Sequence, residues 1–580
     1  MRRREFLETA GATTVWSVGS YALTAIAKSV SSIAAPAPPP LRIDVHCHLF
    51  NGQDLPVYGL LLSVFLEQNI WGPFAEPFAL WLAITIEQNS PDWRDEMDET
   101  GNLAANPALA SRDKPGLDQI ARFLEGGLNT FIDERTSFGR PQAGILTDRN
   151  DAFLLELMRR FSPPGTLQNS PTKSDISKLL SNQQFRRELI RQILEYRTKG
   201  AATGVDEIAE YISQFCKWVG TAVSYHSRLA DELTGTFGES APDELRIMSP
   251  AIVDFGPWPT PDWLLYQDKL RTVDEQAALL EKIALIRRRG RAVHGFIGFD
   301  PWRYLKNRGT TQDSYVVMTR AIEQRGFIGV KLYPPMGFLP LDNIKLPDNS
   351  FPDELVELCR PRPVGRALDE VLRKVYQYCD RNGVAVMAHC SDSIGSHPGY
   401  ATRSAPQNWI PVLKEFPNLR INLGHFGGIW DFFYKPSCRQ SSNTDWPRQI
   451  GSMVQQHENL YFDVADFSAV LDRWDSETCA TEEIFKNIKV LLQRYPQIKS
   501  HIMYGSDWML LDREPRNEGY YAAMRQKFAG VLGTTALDNF LSQNAARFLG
   551  LHKGQPTRAR IERFYEHNRQ PAPDFDKYLA

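Results

Sequence analysis

Histidines and one aspartate that could bind a metal ion recur at the ends of four short apolar segments. The segments are IDVHCH at residues 43–48, VAVMAH at 384–389, INLGH at 421–425 and IMYGSD at 502–507. A β-strand directs alternate side chains to opposite faces, so His46 and His48 point the same way and can share one ion. Imidazole nitrogens with a carboxylate oxygen are typical ligands of zinc or a similar divalent ion. The pattern therefore predicts a metal-dependent enzyme.

The elements that must carry these side chains are strand-like runs that alternate with helical ones, which is typical of parallel βαβ units. Strands are predicted at 41–46, 245–253, 292–299, 327–332, 383–389, 419–425, 459–464 and 500–507. Amphipathic helices are predicted at 311–325, 366–381, 406–416, 445–457, 481–495 and 517–530. Eight such strands predict an α/β fold, a (β/α)8 TIM-type barrel. Active sites of that fold lie at the carboxyl ends of the strands, where all the candidate ligands fall.

Residues 51–244 separate the first predicted strand from the second and are too many for an ordinary loop. Patterns such as those of residues 176–196 and 205–233 predict helices, so we expect a large helical insertion. It could cover the site, shape the substrate pocket or form a subunit interface, and a homodimer is one expectation. Its apolar stretch 55–86 is interrupted by polar residues and prolines, which favours packing over membrane contact.

The N-terminus has the features of a twin-arginine export signal. Arg3 and Arg4 precede Phe6 and Leu7, a weakly apolar run follows, and alanines lead into three prolines at 38–40. We therefore expect recognition by the twin-arginine export machinery and a periplasmic or other extracytoplasmic location. The predicted organisation is a signal at 1–40, a first barrel strand at 41–50, the insertion at 51–244, the rest of the barrel at 245–551 and a polar extension at 552–580.

These motifs, together with NAARFLGL at residues 544–551, resemble the amidohydrolase superfamily. Within it the chain is most similar to the amidohydrolase-related (family 2) group, which includes the aminocarboxymuconate-semialdehyde decarboxylase-like enzymes. The resemblance covers residues 41–50 and 245–551. It implies a divalent metal, with zinc expected, manganese or iron as alternatives, and one ion favoured over two.

By this resemblance, the metal ligands are His46, His48, His389 and Asp507. His425 matches a residue that contacts the attacking water or the substrate in relatives with one ion, and that binds a second ion in relatives with two. An imidazole that titrates near neutral pH suits acid-base catalysis, and Asp507 could instead accept the proton of the water. Both His425 and Asp507 are therefore candidate catalytic residues.

Lys331, in the sequence GVKLYPP at 329–335, leaves the number of ions open. In some branches of the superfamily a lysine here is carboxylated and bridges two ions, whereas in the amidohydrolase-related group it often stays unmodified. An unmodified amine could pair with an anionic substrate or a nearby carboxylate. We favour the unmodified form.

Three further residues near predicted strand ends are candidate substrate contacts. Arg303 could bind a substrate carboxylate through two hydrogen bonds, or could stabilise its own loop. Tyr333 and Trp508 could form apolar walls of the pocket. Asp463 is expected to be structural.

Composition and motifs narrow the function to a few classes. A net charge of −3 and the lack of a basic stripe argue against nucleic-acid binding. The favoured reaction is hydrolysis of an ester, lactone or amide bond of a small molecule by metal-activated water. The alternative is nonoxidative decarboxylation of a carboxylated aromatic or enolic acid, and a non-catalytic binding protein is a third, less favoured reading.

Overall fold

The structure is a computed structural model, and the part of the chain it describes is discontinuous. It covers residues 41–60, 90–106, 218–237, 246–255, 270–286, 291–392, 399–428, 446–471, 481–514 and 516–579, with residues 83, 86, 87, 108, 109, 396 and 397. The predicted export signal, the predicted helix at 176–196 and most of the stretch 55–86 lie outside the described residues. In the described part, every helix is too short or too polar to cross a bilayer.

Short buried strands form the centre of the described fold. They are β1 (Arg42–Cys47), β2 (Arg246–Pro250), β3 (Arg291–Val293), β4 (Phe296–Gly298), β5 (Gly329–Leu332), β6 (Ala385–Ala388), β7 (Ile421–Leu423), β8 (Leu460–Asp463) and β9 (Ile502–Met503). Every residue in them is buried. Near-continuous apolar runs of this kind are expected where helices cover both faces of a parallel sheet.

The strands pair in chain order and all pairs are parallel. β1, β2 and β3 form one sheet, and β4 to β9 form a second. The predicted strand 292–299 is divided into β3 and β4, because its backbone changes partner at this point. The His294 N–H donates to the Met248 carbonyl, whereas the Gly295 carbonyl accepts from Ile328, both at 3.0 Å. A Cβ on Gly295 would lie 2.9 Å from the Pro250 oxygen, so the crossing requires glycine.

Backbone contacts join the two sheets at both of their edges. Ala251 forms a parallel bridge with Phe296, between β2 and β4. At the other edge, Val45 in β1 donates to the Tyr504 carbonyl at 3.2 Å, and the Asp507 N–H donates to the His46 carbonyl at 2.8 Å. The assigned ladders do not form one closed ring. Their order and direction nevertheless match those of the predicted barrel.

Helices lie between and after the strands. They are α1 (Val57–Leu60), α2 (Trp93–Ala105), α3 (His226–Leu233), α4 (Val273–Ile286), α5 (Pro301–Asn307), α6 (Ser314–Gln324), α7 (Asp353–Cys359), α8 (Val364–Asn382), α9 (Ile410–Glu415), α10 (Trp446–Met453), α11 (Thr481–Arg494), α12 (Tyr520–Leu532), α13 (Thr534–Asp538), α14 (Asn544–Leu549), α15 (Pro556–His567) and α16 (Phe575–Leu579). Helix α8 shows the pattern that makes them predictable: Leu368, Leu372 and Val375 recur on one buried face. Gly383, in the left-handed conformation at φ 58°, ends it.

The C-terminal extension packs against the sheets. Phe564 and Tyr565 of α15 and Phe575 of α16 are buried in an apolar cluster with Ile247 and Phe296 from the strands. The phenol of Tyr565 lies 3.2 Å from Nε2 of His294. The extension is therefore part of the core although its sequence is largely polar.

A buried charge network connects the described parts of the insertion to the strands. His226, at the start of α3, lies 3.0 Å from Asp54 through Nε2 and 2.8 Å from Glu96 through Nδ1. Arg271 approaches the other oxygen of Asp54 at 2.8 Å. Burial alone would lower the pKa of His226, but the two carboxylates raise it to about 9. The imidazole is therefore a cation held between α2 and the segment after β1.

Replacing His226 with asparagine should remove a pH-dependent part of the stability. Because the folded pKa of about 9 exceeds the ordinary 6.5, this contribution is complete below pH 6.5 and is lost as the pH rises through 9. The difference in pKa corresponds to about 3 kcal/mol. Urea unfolding of the wild type should therefore show a free energy that falls across this window, and His226→Asn should lack this fall.

The exposed His567 provides a matched control, because His567→Asn removes an imidazole outside the network. A His226→Asn protein with the same pH dependence as wild type would show that the buried imidazolium does not stabilise the fold.

Candidate metal centre

The candidate ligands lie together in one cavity of about 70 Å³ at the carboxyl ends of the strands. Its polar lining is formed by His46, His48, Lys331, His389, His425 and Asp507. Its apolar lining is formed by Phe50, Val253, Phe255, Tyr333 and Leu510. Side chains separated by more than 400 positions in the sequence thus meet at one point because parallel strands end at the same edge.

His46 is oriented by a buried carboxylate. Its Nδ1 lies 3.0 Å from Oδ2 of Asp463. An ionised carboxylate only accepts hydrogen bonds, so Nδ1 carries the proton and Nε2 presents a lone pair to the cavity. Asp463 also accepts bonds from the Asn422 amide at 2.7 Å and the His425 N–H at 3.0 Å. Burial alone would raise the pKa of Asp463, but His46, and to a smaller extent His425, hold it well below its usual range.

His48 and Asp507 face each other with two acceptor atoms. The Nδ1–H of His48 donates to the Ala251 carbonyl at 2.8 Å, which leaves the neutral ring without a proton on Nε2. That Nε2 lies 3.0 Å from Oδ1 of Asp507. Oδ1 is buried and accepts no directed hydrogen bond from the described residues. A cation at this position, or a second proton on His48, would satisfy both atoms, so the donor set fits a divalent ion.

The charge of Asp507 depends on nearby positive charge. Burial alone would raise the pKa of Asp507, whereas protonated His48, His425 and His46 lower it well below its usual range. With these rings neutral, a bound cation would supply the positive charge. The backbone of Asp507 is in the left-handed conformation, with φ 54°. A non-glycine residue in that region stores strain, and strained residues concentrate at functional sites.

Lys331 lies at the base of the cavity beside His46. Its Nζ is 3.0 Å from Nε2 of His46 and 3.4 Å from the sulfur of Met387. Burial lowers the pKa of Lys331 to about 8, an effect that Asp507 and Asp463 partly offset. The amine thus donates to the same lone pair that would ligate an ion.

His389 and His425 form a pair at the opposite side of the cavity. Nδ1 of His389 lies 3.1 Å from Nε2 of His425, and Nδ1 of His425 lies 3.2 Å from the Ala465 carbonyl. The carbonyl requires a proton on Nδ1 of His425, so its Nε2 is the acceptor of the pair. Burial lowers the pKa of His425 to about 4, which leaves the ring neutral at neutral pH.

The ligand atoms that lie closest together do not all belong to the four predicted ligands. Single ligand atoms of His46, His425 and Asp507 all lie within 4.8 Å of one another. His48 borders this group through Asp507, and His389 borders it through His425. The four predicted ligands and His425 are therefore adjacent. His425 belongs to the same close group of ligand atoms as His46 and Asp507.

Two glycines leave room for His46. A Cβ on Gly424 would lie 2.9 Å from Cε1 of His46, and a Cβ on Gly505 would lie 2.9 Å from Cβ of His46. Real Cβ atoms essentially never approach this closely, so either side chain would displace the ring. The need for space beside His46 thus explains why glycine precedes His425 and Ser506.

Two buried carboxylates support the predicted ligands. Asp463, which was expected to be structural, fixes the ring of His46. Asp44 was not among the residues predicted for the site. Asp44 accepts from the Ser506 hydroxyl at 2.5 Å and from the Ser506 N–H at 3.0 Å, and so ties β1 to the segment that carries Asp507. Its position could have indicated this role, because Asp44 lies two residues before His46, on the same face of the strand.

Two predicted substrate contacts lie outside the cavity lining. Nε of Arg303 is 2.6 and 2.7 Å from the two oxygens of Asp254, so the guanidinium is paired with this carboxylate. Arg303 borders a different cavity, with Asp254 and Ser314. Trp508 is 1% exposed and packs in the apolar core. Tyr333 does line the cavity, as predicted.

Comparisons with known proteins support the superfamily. Residues 308–551 match the family model described as amidohydrolase, which is less than half of the chain. No curated protein matches the chain. The match assigns the C-terminal part of the described sheets, including His389, His425 and Asp507, to an amidohydrolase-type region.

Several solved structures are also similar, at low identity. An amidohydrolase from Burkholderia multivorans with bound HEPES is 13% identical, covering 57% of this chain and 91% of its own, with a TM-score of 0.32. Amidohydrolase 2 from Bifidobacterium longum subsp. infantis is 13% identical, covering 53% and 98%, with a TM-score of 0.24. An apo protein from Agrobacterium tumefaciens is 14% identical, covering 48% and 74%, with a TM-score of 0.27. Scores this low carry no argument about the present chain.

Asp463→Asn should weaken metal binding without removing a ligand. An amide can present its NH2 to Nδ1 of His46, which would favour the wrong tautomer and turn Nε2 into a donor. Loss of such a supporting group typically lowers metal affinity by about 10- to 100-fold. Zinc affinity measured by competition with a chromogenic chelator should show this decrease.

Asp466→Asn is the matched control, since Asp466 lies three residues after Asp463, has φ 56°, and asparagine tolerates that conformation. Equal zinc affinity in Asp463→Asn and wild type would contradict the orienting role.

Proposed function

We propose that this protein is a metal-dependent hydrolase of the amidohydrolase superfamily that acts on an ester, lactone or amide bond of a small molecule. The observation that carries the proposal is the buried group of ligand atoms from His46, His425 and Asp507, which all lie within 4.8 Å of one another, with Nε2 of His48 3.0 Å from Oδ1 of Asp507. The family match at residues 308–551 supports the same conclusion. The sheet order and the bonds from β1 to the segment after β9 further support a (β/α)8 barrel, with residues 51–244 as a helical insertion.

The proposed ligands of a single ion are His46, His48, His389 and Asp507. Zinc suits this set of imidazoles and one carboxylate, and manganese or iron are alternatives. When bound, such an ion lowers the pKa of water toward about 7 and polarises a carbonyl oxygen. His46 and His48 are prepared for it, because Asp463 and the Ala251 carbonyl each hold the proton on Nδ1.

His425 is the proposed proton-transfer residue. Its Nδ1–H is held by the Ala465 carbonyl, and its ring is neutral, so Nε2 can accept a proton. Nε2 of His389 lies 3.1 Å from the Ser391 hydroxyl and can donate to it, so His389 would ligate the ion through Nδ1 and would then no longer donate to Nε2 of His425. His425 then takes a proton from water as the oxygen attacks the carbonyl, and returns it to the leaving oxygen or nitrogen.

Lys331 is proposed to remain an unmodified amine. The negative charges of Asp507 and Asp463 support this assignment, because they favour the ammonium form of the side chain. The lysine thus contributes a positive charge near Asp507 and can favour negative charge that develops on the substrate oxygen. Carboxylation would instead create an anion beside Asp507 and Asp463.

The location and assembly of the protein rest on the sequence. We propose export by the twin-arginine machinery to the periplasm or another extracytoplasmic compartment, supported by the order of Arg3, Arg4, Phe6 and Leu7. A homodimer is the proposed assembly, and a small molecule is the proposed substrate.

His425→Asn should abolish turnover while metal is retained. Loss of a positioned acid-base group typically lowers the rate by about 10²- to 10⁴-fold. The assay is a panel of esters, lactones and amides with the metal-loaded protein, and metal content is measured in parallel. His457→Asn, in the partly exposed turn between α10 and β8, is the matched control and should behave as wild type.

Turnover by His425→Asn at the wild-type rate would contradict the assigned role. The panel should also contain carboxylated aromatic acids, because release of carbon dioxide instead of hydrolysis would favour the decarboxylase alternative.

A further inference from the structure

We propose that the outer part of the cavity binds an uncharged aromatic ring of the substrate, so that the hydrolysed molecule is an aryl-substituted ester, lactone or amide. The surface in question is the aromatic collar, which we define as Phe50, Phe255 and Tyr333. This inference rests on the proposed function and names a substrate class for the same site.

The collar is assembled from three different loops. Phe50 follows β1, Phe255 follows β2 and Tyr333 follows β5, and all three side chains are half-buried. The rings of Phe255 and Tyr333 meet edge to face, with centroids 5.6 Å apart. Val253 and Leu510 complete the apolar wall. A planar ring that enters here would meet aromatic faces and edges, which attract other aromatic rings.

The collar is continuous with the proposed ligands. The ring of Tyr333 lies 4.6 Å from that of His389, and the ring of Phe50 lies 6.2 Å from that of His48, measured between centroids. A substrate ring held by the collar would therefore lie next to the histidines that bind the ion. A carbonyl group attached to that ring would be directed toward the base of the cavity.

The charges of the described lining favour a neutral ring. Apart from the histidines, the charged side chains there are Lys331 and Asp507, which are 2% and 1% exposed and lie at the base. Arg303, the cation predicted to bind a substrate carboxylate, is held by Asp254 instead. A charged substituent at the collar would lose water without gaining a partner among these residues, which is unfavourable. An apolar wall with a few polar groups at its base is the usual design of a small-molecule site.

The test compares the binding of three alcohols that cannot be hydrolysed: benzyl alcohol, cyclohexylmethanol and 4-(hydroxymethyl)benzoate. Ligand-observed NMR titration of the metal-loaded protein gives each dissociation constant without any need for turnover. Benzyl alcohol should bind roughly three- to tenfold more tightly than cyclohexylmethanol, as expected for aromatic pairs. Cyclohexylmethanol is the more hydrophobic of the two, so this preference would not arise from burial alone. The charged benzoate should bind more weakly than benzyl alcohol.

The collar variants Phe255→Leu and Phe50→Leu should remove the preference for the aromatic ring while metal content stays unchanged. Both side chains are half-buried, so leucine should be accommodated in the fold. Phe485→Leu is the matched control: Phe485 packs against Phe467 and Phe528 in the core, outside the cavity lining, and the variant should keep the preference.

The proposal is overturned if none of the probes binds, if the three bind equally, or if both collar variants keep the preference for the ring. Failure of the proposed function can be distinguished from failure of the aromatic site. Ring-selective binding without hydrolysis of any ester, lactone or amide would retain the aromatic site and reject hydrolysis. Hydrolysis with no preference for benzyl acetate over cyclohexylmethyl acetate would retain hydrolysis and reject the aromatic site.

Discussion

The site depends on one electrostatic constraint, which is that several hydrogen-bond acceptors converge in a place with little water. The imidazoles of His46 and His48 are held by Asp463 and by the Ala251 carbonyl so that both Nε2 atoms point at Asp507. Lone pairs and a carboxylate brought together in this way repel one another unless a cation lies between them. Lys331 supplies one positive charge at His46, and a divalent ion would supply more.

Much of the surrounding structure serves to keep these atoms in place. Asp44 and Ser506 connect the strand of His46 to the loop of Asp507. Gly424 and Gly505 provide space for the His46 side chain, since a methyl group would lie 2.9 Å from its Cε1 at Gly424 and 2.9 Å from its Cβ at Gly505. Farther out, the buried pairing of His226 with Asp54 and Glu96 fixes the chain that leaves β1 just after Phe50. The position of Phe50 in the aromatic collar therefore depends on the same network that stabilises the described base of the insertion.

The sequence predicted the features that a local pattern determines. The ends of the buried strands were visible as apolar runs that stop at His46, His389, His425 and Asp507, and parallel pairing is sufficient to bring such ends together. What the sequence did not predict depends on partners that are distant along the chain. The break between β3 and β4 arises where the backbone exchanges Met248 for Ile328. Arg303 pairs with Asp254, 49 positions away, and does not line the cavity. Asp463 orients His46 across 417 positions. None of these pairings leaves a local pattern in one sequence.

The central claim is that the converging acceptors bind a divalent metal ion. The most direct test is elemental mass spectrometry of the purified wild-type protein and of the His46→Ala/His48→Ala double variant, both prepared with metal in excess. We expect about one zinc, manganese or iron ion per wild-type chain and its loss in the double variant. A wild-type protein that contains no metal under these conditions, or a double variant that retains it in full, would contradict the account.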